Sequence, residues 1–268
     1  GKGANQAVQI ARLGHHPRFV TPLGTDALAQ SLRDELNVYG LSLQDALIKE
    51  GSSGIGLVSF LSDGSLTSTV VEGANGKVEL SDLDTCRSPL EECDYLVAQL
   101  ELPVPAVEEA IRIAAASGAC IVLNTAPARP LSPETLAAVH YLIANEEEAG
   151  YYLASSVDDG EDFVRAGTGF ALRHDLTMVV TLGPKGSLLF LGNLSFRFPA
   201  LRVPVVETTG AGDSFVGALV VALAEGQKIE DACRFATCAS AVTIQSVGGQ
   251  RSMPDRAAVM SLYESHFT

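Results

Sequence analysis

From residue 94 onward, short apolar runs alternate with longer segments whose apolar positions recur at helical spacing. Strands are predicted at Tyr95 to Leu100, Cys120 to Leu123, Tyr141 to Ala144, Met178 to Leu182 and Val203 to Val206. Helices are predicted over 105–117, from Ser132-Pro133-Glu134, from Asn145, and after Asp158-Asp159. Pro105 near the start of the first and Gly118 past its end fit helix termini: proline lacks an N–H where none is needed, and glycine accepts the left-handed closing turn. A long apolar helical run begins at Ser214, and Cys233 and Cys238 lie in another apolar helix. At the start, Gly1-Lys2-Gly3-Ala4-Asn5-Gln6-Ala7 opens a helix that continues through Val8, Ile10, Ala11 and Leu13. Strands that are apolar throughout, rather than alternating, are buried on both faces. That requires a mostly parallel sheet covered by helices on each side.

Two segments break this rhythm. Ile55 to Leu61 and Leu66 to Val71 flank Ser62-Asp63-Gly64-Ser65 and are predicted as a hairpin, too small for a domain and suited to a lid. Ser187 to Leu191 follows the Gly183-Pro184-Lys185-Gly186 turn and is predicted to run antiparallel to the strand before it. No internal repeat or low-complexity segment is present.

The chain of 268 residues is 47% hydrophobic, enough for one sizeable core. Its net charge of −14, without a Lys/Arg cluster, argues against nucleic acid as a partner. The cysteines, Cys86, Cys93, Cys120, Cys233 and Cys238, are odd in number and form no CxxC pair. Neither a disulfide framework nor a zinc site is indicated, and buried thiols suit a reducing compartment. The longest apolar run, Phe215 to Ala224, is interrupted by Gly217 and too short to span a bilayer. No secretory leader is visible. The first residue is Gly1 rather than Met, and residues upstream of it are expected.

In an open α/β sheet, ligands bind beyond the carboxyl ends of the strands. The polar residues at those ends are Glu101, Asn124, Asn145, Thr181 and Glu207-Thr208-Thr209, with Asp213 shortly after. The most informative stretch is Thr208-Thr209-Gly210-Ala211-Gly212-Asp213-Ser214. Small residues at a helix start let an anion approach backbone N–H groups that have no intrahelical partner. A carboxylate beside such a site repels the anion. It makes sense if it takes a proton from a nucleophile attacking that anion, which is phosphoryl transfer to a hydroxyl. The bland reading is a glycine-rich turn with Asp213 as a cap.

The other constellations carry similar alternatives. Asn145-Glu146-Glu147-Glu148 matches a capping box as well as a phosphate and Mg²⁺ site. Thr181 to Gly186 is a hairpin turn or a phosphate contact, and Gly1 to Ala7 lacks the GxxxxGK[ST] spacing of a P-loop. His15, His16, His140, His174 and His266 lie apart and support neither a metal site nor a Ser-His-Asp hydrolase. No GxGxxG follows a strand, which disfavours a dinucleotide oxidoreductase.

Taken in order, GKGANQAV at Gly1, GTD at Gly24 to Asp26, QLE at Gln99 to Glu101, NTAPA at Asn124 to Ala128, NEEEA at Asn145 to Ala149, TLGPKG at Thr181 to Gly186 and TTGAGDSFVGAL at Thr208 to Leu219 closely resemble the ribokinase-like sugar kinase family. The resemblance spans nearly the whole chain. It implies a Rossmann-like three-layer αβα sandwich over residues 1–268, with a small β lid at about 51–73. It implies ATP-dependent phosphorylation of D-ribose at the 5-hydroxyl. Kinases for deoxyribose, fructose or adenosine, or a non-catalytic sugar-binding relative, are the alternatives. Asp213 matches the catalytic base, and Gly210, Ala211 and Gly212 the anion hole. Gly1, Lys2, Asn5 and Glu101 match sugar contacts; Asn145, Thr181, Gly183, Gly186, Gly212 and Thr237 match the nucleotide side. Glu148 matches the Mg²⁺ environment. Glu207, Thr209, Thr243, Ser246, Gly248 and Ser252 match the loops that hold an activating K⁺. A cytoplasmic location and a homodimer through the lid are also implied. Three departures stand out: an upstream strand with sugar-gripping Asn and Asp residues precedes Gly1 in the family, Glu207 stands where Asp is usual, and Thr125 replaces a Pro.

Overall fold

The computed structural model describes residues 1–60 and 66–267. In chain order the elements are α1 (Lys2–Arg12), β1 (Pro22–Leu23), α2 (Ala27–Val38), β2 (Leu47–Ile48), β3 (Ile55–Phe60), β4 (Leu66–Val71), α3 (Arg87–Glu91), β5 (Tyr95–Gln99), α4 (Val104–Ala116), β6 (Cys120–Asn124) and α5 (Pro133–Ala138). They continue with β7 (Tyr141–Asn145), α6 (Glu146–Leu153), α7 (Glu161–His174), β8 (Thr177–Thr181), β9 (Ser187–Leu191), β10 (Leu194–Phe198), α8 (Ala211–Ala224), α9 (Ile229–Thr243) and α10 (Arg256–Phe267).

The main sheet has the order β10-β9-β8-β7-β6-β5. Strands β5 to β8 are parallel, and β9 and β10 add as antiparallel partners, β9 running against β8 as its turn sequence predicts. Residues along each strand alternate between two cores. Val122, Ile143, Val179 and Leu189 join Phe215, Leu219, Phe235 and Ala239 on the face covered by α8 and α9. Ile121, Leu123, Leu142, Met178, Val180 and Phe190 join Ile111, Phe163 and Phe170 on the face covered by α4 and α7. Each such side chain contributes roughly 1.5–3 kcal/mol when fully buried. This two-sided burial makes the sequence read as uninterrupted apolar runs, and it produces the three-layer αβα arrangement.

The predicted hairpin forms as an antiparallel pair, β3 with β4, in a sheet separate from the main one. Its turn, Ser62 to Ser65, lies outside the described residues. Val203–Val206, predicted as a strand, is irregular. Pro204 lacks the N–H a ladder needs, and Val205 and Val206 are 62% and 58% exposed, so the run has no core to enter. The apolar pattern did not anticipate β1, β2, α2, α3, α10 or β10.

Helix α8 is the buried pillar of the site. Its residues from Asp213 to Leu223 are all buried. Gly217, the interruption in its apolar run, is the point where α1 crosses. A methyl there would meet Gln9 Cβ at 2.8 Å and the Gln6 carbonyl oxygen at 3.0 Å. The close crossing sets two buried amides of α1, Gln6 and Gln9, against the first turn of α8. Cys233 and Cys238 in α9 are both fully buried, and burial pushes each thiol up to about 12.

Candidate active site

The first turn of α8 opens on Gly210, whose φ of 83° puts it in the left-handed region. The N–H of Ala211 turns back to the Thr208 carbonyl at 3.2 Å. Among the described residues, no acceptor faces the N–H groups of Gly212 and Asp213, and a methyl built on Gly212 would meet nothing within 4 Å. The result is a pair of free donors, with the positive end of the helix dipole behind them, facing open space. Of the predicted donors, the Ala211 N–H is the one engaged within the turn.

Asp213 sits beside these donors and is 9% exposed. Asn5 Nδ2 donates to its Oδ2 at 2.8 Å, and Gln6 Nε2 donates to its Oδ1 at 3.1 Å. Burial pushes the Asp213 carboxyl above the usual carboxylate range. The Asn5 amide, the charge of Lys2 and the Gln6 amide oppose that shift, and Glu101 adds to it. The backbone N–H of Lys2 donates to Glu101 Oε2 at 2.6 Å, so the N-terminus of α1 holds the carboxylate that follows β5. Gly1 lies against the same carboxylate, since a methyl on it would fall 2.8 Å from Glu101 Oε2. Gly1, Lys2 and Asn5 from the start of the chain, Glu101 after β5 and Asp213 in α8 are thus gathered at one end of the sheet. A cavity of about 200 Å³ opens beside Gly1 and Glu101; Gln99, Ser53 and Asn75 also line it, and the rest of its wall is largely apolar, with Phe19, Leu23, Leu36 and Leu96 among it.

Asn145 and Thr181 are register partners at the ends of β7 and β8. Asn145 caps α6 in a full capping box: its Oδ1 accepts from the Glu148 N–H at 2.8 Å, and Glu148 Oε2 accepts from the Asn145 N–H at 2.9 Å. The second Glu148 oxygen accepts from Asn145 Nδ2 at 3.0 Å, and burial pushes this carboxyl upward. Gly183 and Gly186 close the turn after β8, where the Gly186 N–H donates to the Gly183 carbonyl at 3.1 Å. Gly186 has φ 93°, and a methyl there would collide with the Phe198 carbonyl oxygen, so the fold itself demands glycine. The Thr237 hydroxyl donates to the Cys233 carbonyl within α9 at 2.8 Å. Thr237 lines a separate cavity of about 510 Å³ with Phe196, Lys228 and Arg234.

The segment before Gly210 is clasped by the loop after α9. Glu207 Oε2 accepts from the Gly248 N–H at 2.9 Å, and the Val206 N–H donates to the Ile244 carbonyl at 2.8 Å. Hydrogen bonds from the Thr209 side chain and the Gly248 N–H hold the Glu207 carboxyl below its usual range. The Gly248 carbonyl accepts from the Ser252 N–H at 2.9 Å, and the Thr243 carbonyl from the Ser246 N–H at 3.3 Å. The Thr243 hydroxyl turns inward to Ser214 Oγ at 2.8 Å.

Sequence reasoning passed over Gln6 and Gln99 as functional candidates and weighed Asn124 only as a strand end. Gln6 and Gln9 share the stripe of Ile10 and Leu13 at helical spacing, and both are buried. Two amides on the apolar face of a helix were the available clue, because a buried amide requires a partner. The GTD segment proves structural: Asp26 caps α2 by accepting from the Ala29 N–H at 3.1 Å, and it also accepts from Ser53 Oγ at 2.8 Å.

The chain matches known proteins along nearly its whole length. The family description "pfkB family carbohydrate kinase" matches residues 1–256. The chain is 34% identical over 257 residues to the ribokinase of Staphylococcus aureus, covering 95% of this chain and 84% of that protein. It is 30% identical over 257 residues to a deoxyribokinase of Salmonella typhi, covering 95% and 84%. Among solved structures, Arabidopsis thaliana ribokinase complexed with ribose and ATP matches with a TM-score of 0.90 at 29% identity, covering 100% of this chain and 88% of that one.

Proposed function

This chain belongs to the pfkB family of carbohydrate kinases, a phosphotransferase acting on a sugar hydroxyl, and we propose that it converts D-ribose and ATP to ribose 5-phosphate and ADP. The observation that carries the reading is a buried carboxylate, Asp213, beside the free N–H groups of Gly212 and Asp213 itself. Asp213 takes the proton of the 5-hydroxyl as the oxygen attacks phosphorus. The helix start at Gly210, Ala211 and Gly212 stabilises charge on the transferred group. Gly1, Lys2, Asn5 and Glu101 hold the sugar. Asn145, Thr181, Gly183 and Gly186 lie along the nucleotide phosphates, and Thr237 stands toward the base. The β3–β4 hairpin closes as a lid and excludes water, which would otherwise accept the phosphoryl group. Residues 1–268 act as one kinase unit with this lid inserted.

Two cations belong to the proposal. Among the described residues, no group of three or more His, Cys, Asp or Glu side chains is arranged to hold a metal ion. Both Glu148 oxygens are engaged by Asn145. That donor set fits a Mg²⁺ carried by the nucleotide, with Glu148 reached through the ion's waters; when bound, such an ion offsets phosphate charge. For K⁺, Glu207, Thr209, Ser246, Gly248 and Ser252 on two adjoining loops and Thr243 at the end of α9 offer oxygens, a donor set that fits a hard monovalent cation. Exposed Leu57, Val70 and Val71 on the hairpin support a homodimer through the lid. Five free cysteines, three of them buried, support a cytoplasmic location.

The test is a coupled ADP-release assay with D-ribose, 2-deoxyribose, fructose and adenosine, and the phosphorylated position assigned by NMR. Ribose is expected to give the highest kcat/KM, with phosphate on the 5-oxygen. A higher value for 2-deoxyribose would reassign the substrate. Sugar binding by calorimetry without turnover on any acceptor would overturn the enzymatic role.

A further inference from the structure

The two oxygens of the Asp213 carboxylate are not equivalent. An ionised carboxylate only accepts, so the amide nitrogens of Asn5 and Gln6 must both face it. For Gln6 this fixes everything else. Its Nε2 also donates to Asn124 Oδ1 at 3.0 Å, and its Oε1 accepts from Gln99 Nε2 at 2.6 Å. Asn124 is fixed in turn, because its Nδ2 donates to the Ile143 carbonyl at 3.1 Å, and a carbonyl cannot donate. Gln99, Gln6, Asn124 and Ile143 therefore form a series in which every donor points the same way. Turning over any member sets donor against donor or acceptor against acceptor. Gln6 is 1% and Asn124 8% exposed, so water is not at hand to repair such a reversal. The side-chain amide of Asn5, among the described residues, has Asp213 as its one hydrogen-bond partner and is free to rotate.

We propose that Gln6, backed by Gln99 and Asn124, is a positioning residue that keeps Oδ1 of Asp213 as a permanent acceptor, so that the proton of the reacting hydroxyl is delivered to Oδ2. The proposal rests on the kinase reading above but not on which sugar is used. In the step, the hydroxyl O–H bond breaks and its proton goes to Oδ2. The oxygen's electron pair forms the new bond to the terminal phosphorus. The bond from that phosphorus to the bridging oxygen breaks, and its pair leaves with ADP. Once protonated, Oδ2 becomes a donor, and the Asn5 amide rotates to present its oxygen. Oδ1 cannot take the proton without reversing the whole series behind Gln6. The other charged groups acting on this carboxylate are Lys2 of α1, Glu101 after β5 and Glu148 of α6. Among the described residues, only Gln6 donates to Oδ1.

The experiment compares pH–rate profiles of the wild type, Gln6→Met and Gln99→Met, using whichever acceptor the wild type phosphorylates, with melting temperatures recorded alongside. In Gln6→Met the acid limb of kcat/KM is expected to move up by about one pH unit, the scale of one lost charge-assisted hydrogen bond. kcat should fall about tenfold or more, while KM for sugar and for ATP stays within about twofold. Gln99→Met leaves the Gln6 amide in place but unanchored, and should shift the limb the same way by less. A folded Gln6→Met enzyme with an unmoved acid limb would overturn the proposal and leave the kinase reading standing. A wild type inactive on every acceptor sinks that reading instead. A crystal structure of the wild type with sugar and a non-hydrolysable ATP analogue decides the matter even if Gln6→Met does not fold. The acceptor hydroxyl should lie within hydrogen-bonding distance of Oδ2, and a hydroxyl on Oδ1 would refute the assignment.

Discussion

Gly212→Ala and Gly210→Ala, two residues apart, should have opposite effects on stability. At Gly212 an added methyl meets no protein atom within 4 Å, and the residue lies inside α8. Alanine is favoured over glycine by about 0.8–1.0 kcal/mol in a helix interior, and a first-turn position retains part of that. The melting temperature should stay level or rise by about 1–3 °C. At Gly210 φ is 83°, and the methyl would lie 3.1 Å from Met253 Cε and 3.3 Å from the Gly249 carbonyl oxygen. The left-handed backbone alone costs an L-residue about 1–2 kcal/mol, so this variant should melt several degrees lower. Activity should separate from stability. On the proposed function, the Gly212 methyl would occupy the space through which the phosphoryl group reaches the free N–H groups. Losing one such donor costs about 100- to 1000-fold in kcat. A methyl that displaces the ligand without deleting the donor should cost about 10- to 100-fold. Differential scanning fluorimetry and the ADP-release assay measure the two quantities. A Gly212→Ala enzyme with wild-type kcat would remove this helix start from the reaction. One that melts as low as Gly210→Ala would show that the space is not open.

Asp213→Asn should lower kcat by about 100-fold or more while leaving ATP affinity nearly unchanged, as equilibrium binding of a nucleotide analogue would show. The folded pKa of Asp213 is raised above its unfolded value, so the folded state binds the proton more strongly, and stability falls as pH rises through that window. The melting temperature of Asp213→Asn minus that of the wild type should therefore grow as pH rises above the ordinary carboxylate range, and a flat difference would contradict the burial argument. The same shift places the acid limb of wild-type kcat/KM above the ordinary carboxylate range. Gly217→Ala should push α1 from α8, with a loss of about 1–3 kcal/mol in a urea titration and a lower kcat, because Asn5 and Gln6 are carried away from Asp213. Glu207→Ala frees the Gly248 N–H. It should raise the K⁺ concentration giving half-maximal activity, and an unchanged K⁺ titration would detach Glu207 from the cation.

The main sheet was legible because its inner strands are buried on both faces: nothing but apolar residues fits at Val122, Ile143 or Val179. Val203 to Val206 is as apolar but carries Pro204, a warning in the sequence, and the fold adds that Val205 and Val206 have no core to enter. The start of α8 was legible because two glycines and a carboxylate in so few residues have few structural uses. The amide series was not. Its members come from α1, β5 and β6, and what joins Gln6 to Gln99 and Asn124 is strand order and helix crossing, which no local pattern encodes. Asn145 and Glu148 show the reverse limit, since a capping box and a phosphate-side site call for the same residues at the same spacing.

The thiols of Cys233 and Cys238, buried in α9 beside the helix that carries Asp213, hold almost no thiolate at neutral pH and are sealed from reagents. The native protein should therefore ignore iodoacetamide at these two sites until α8 and α9 come apart. Their alkylation rate, followed by mass spectrometry, would then serve as a clock for the opening of this one region. Sugar or nucleotide that docks against α8 should slow the clock, and ligand binding could be read in a variant too crippled to turn over.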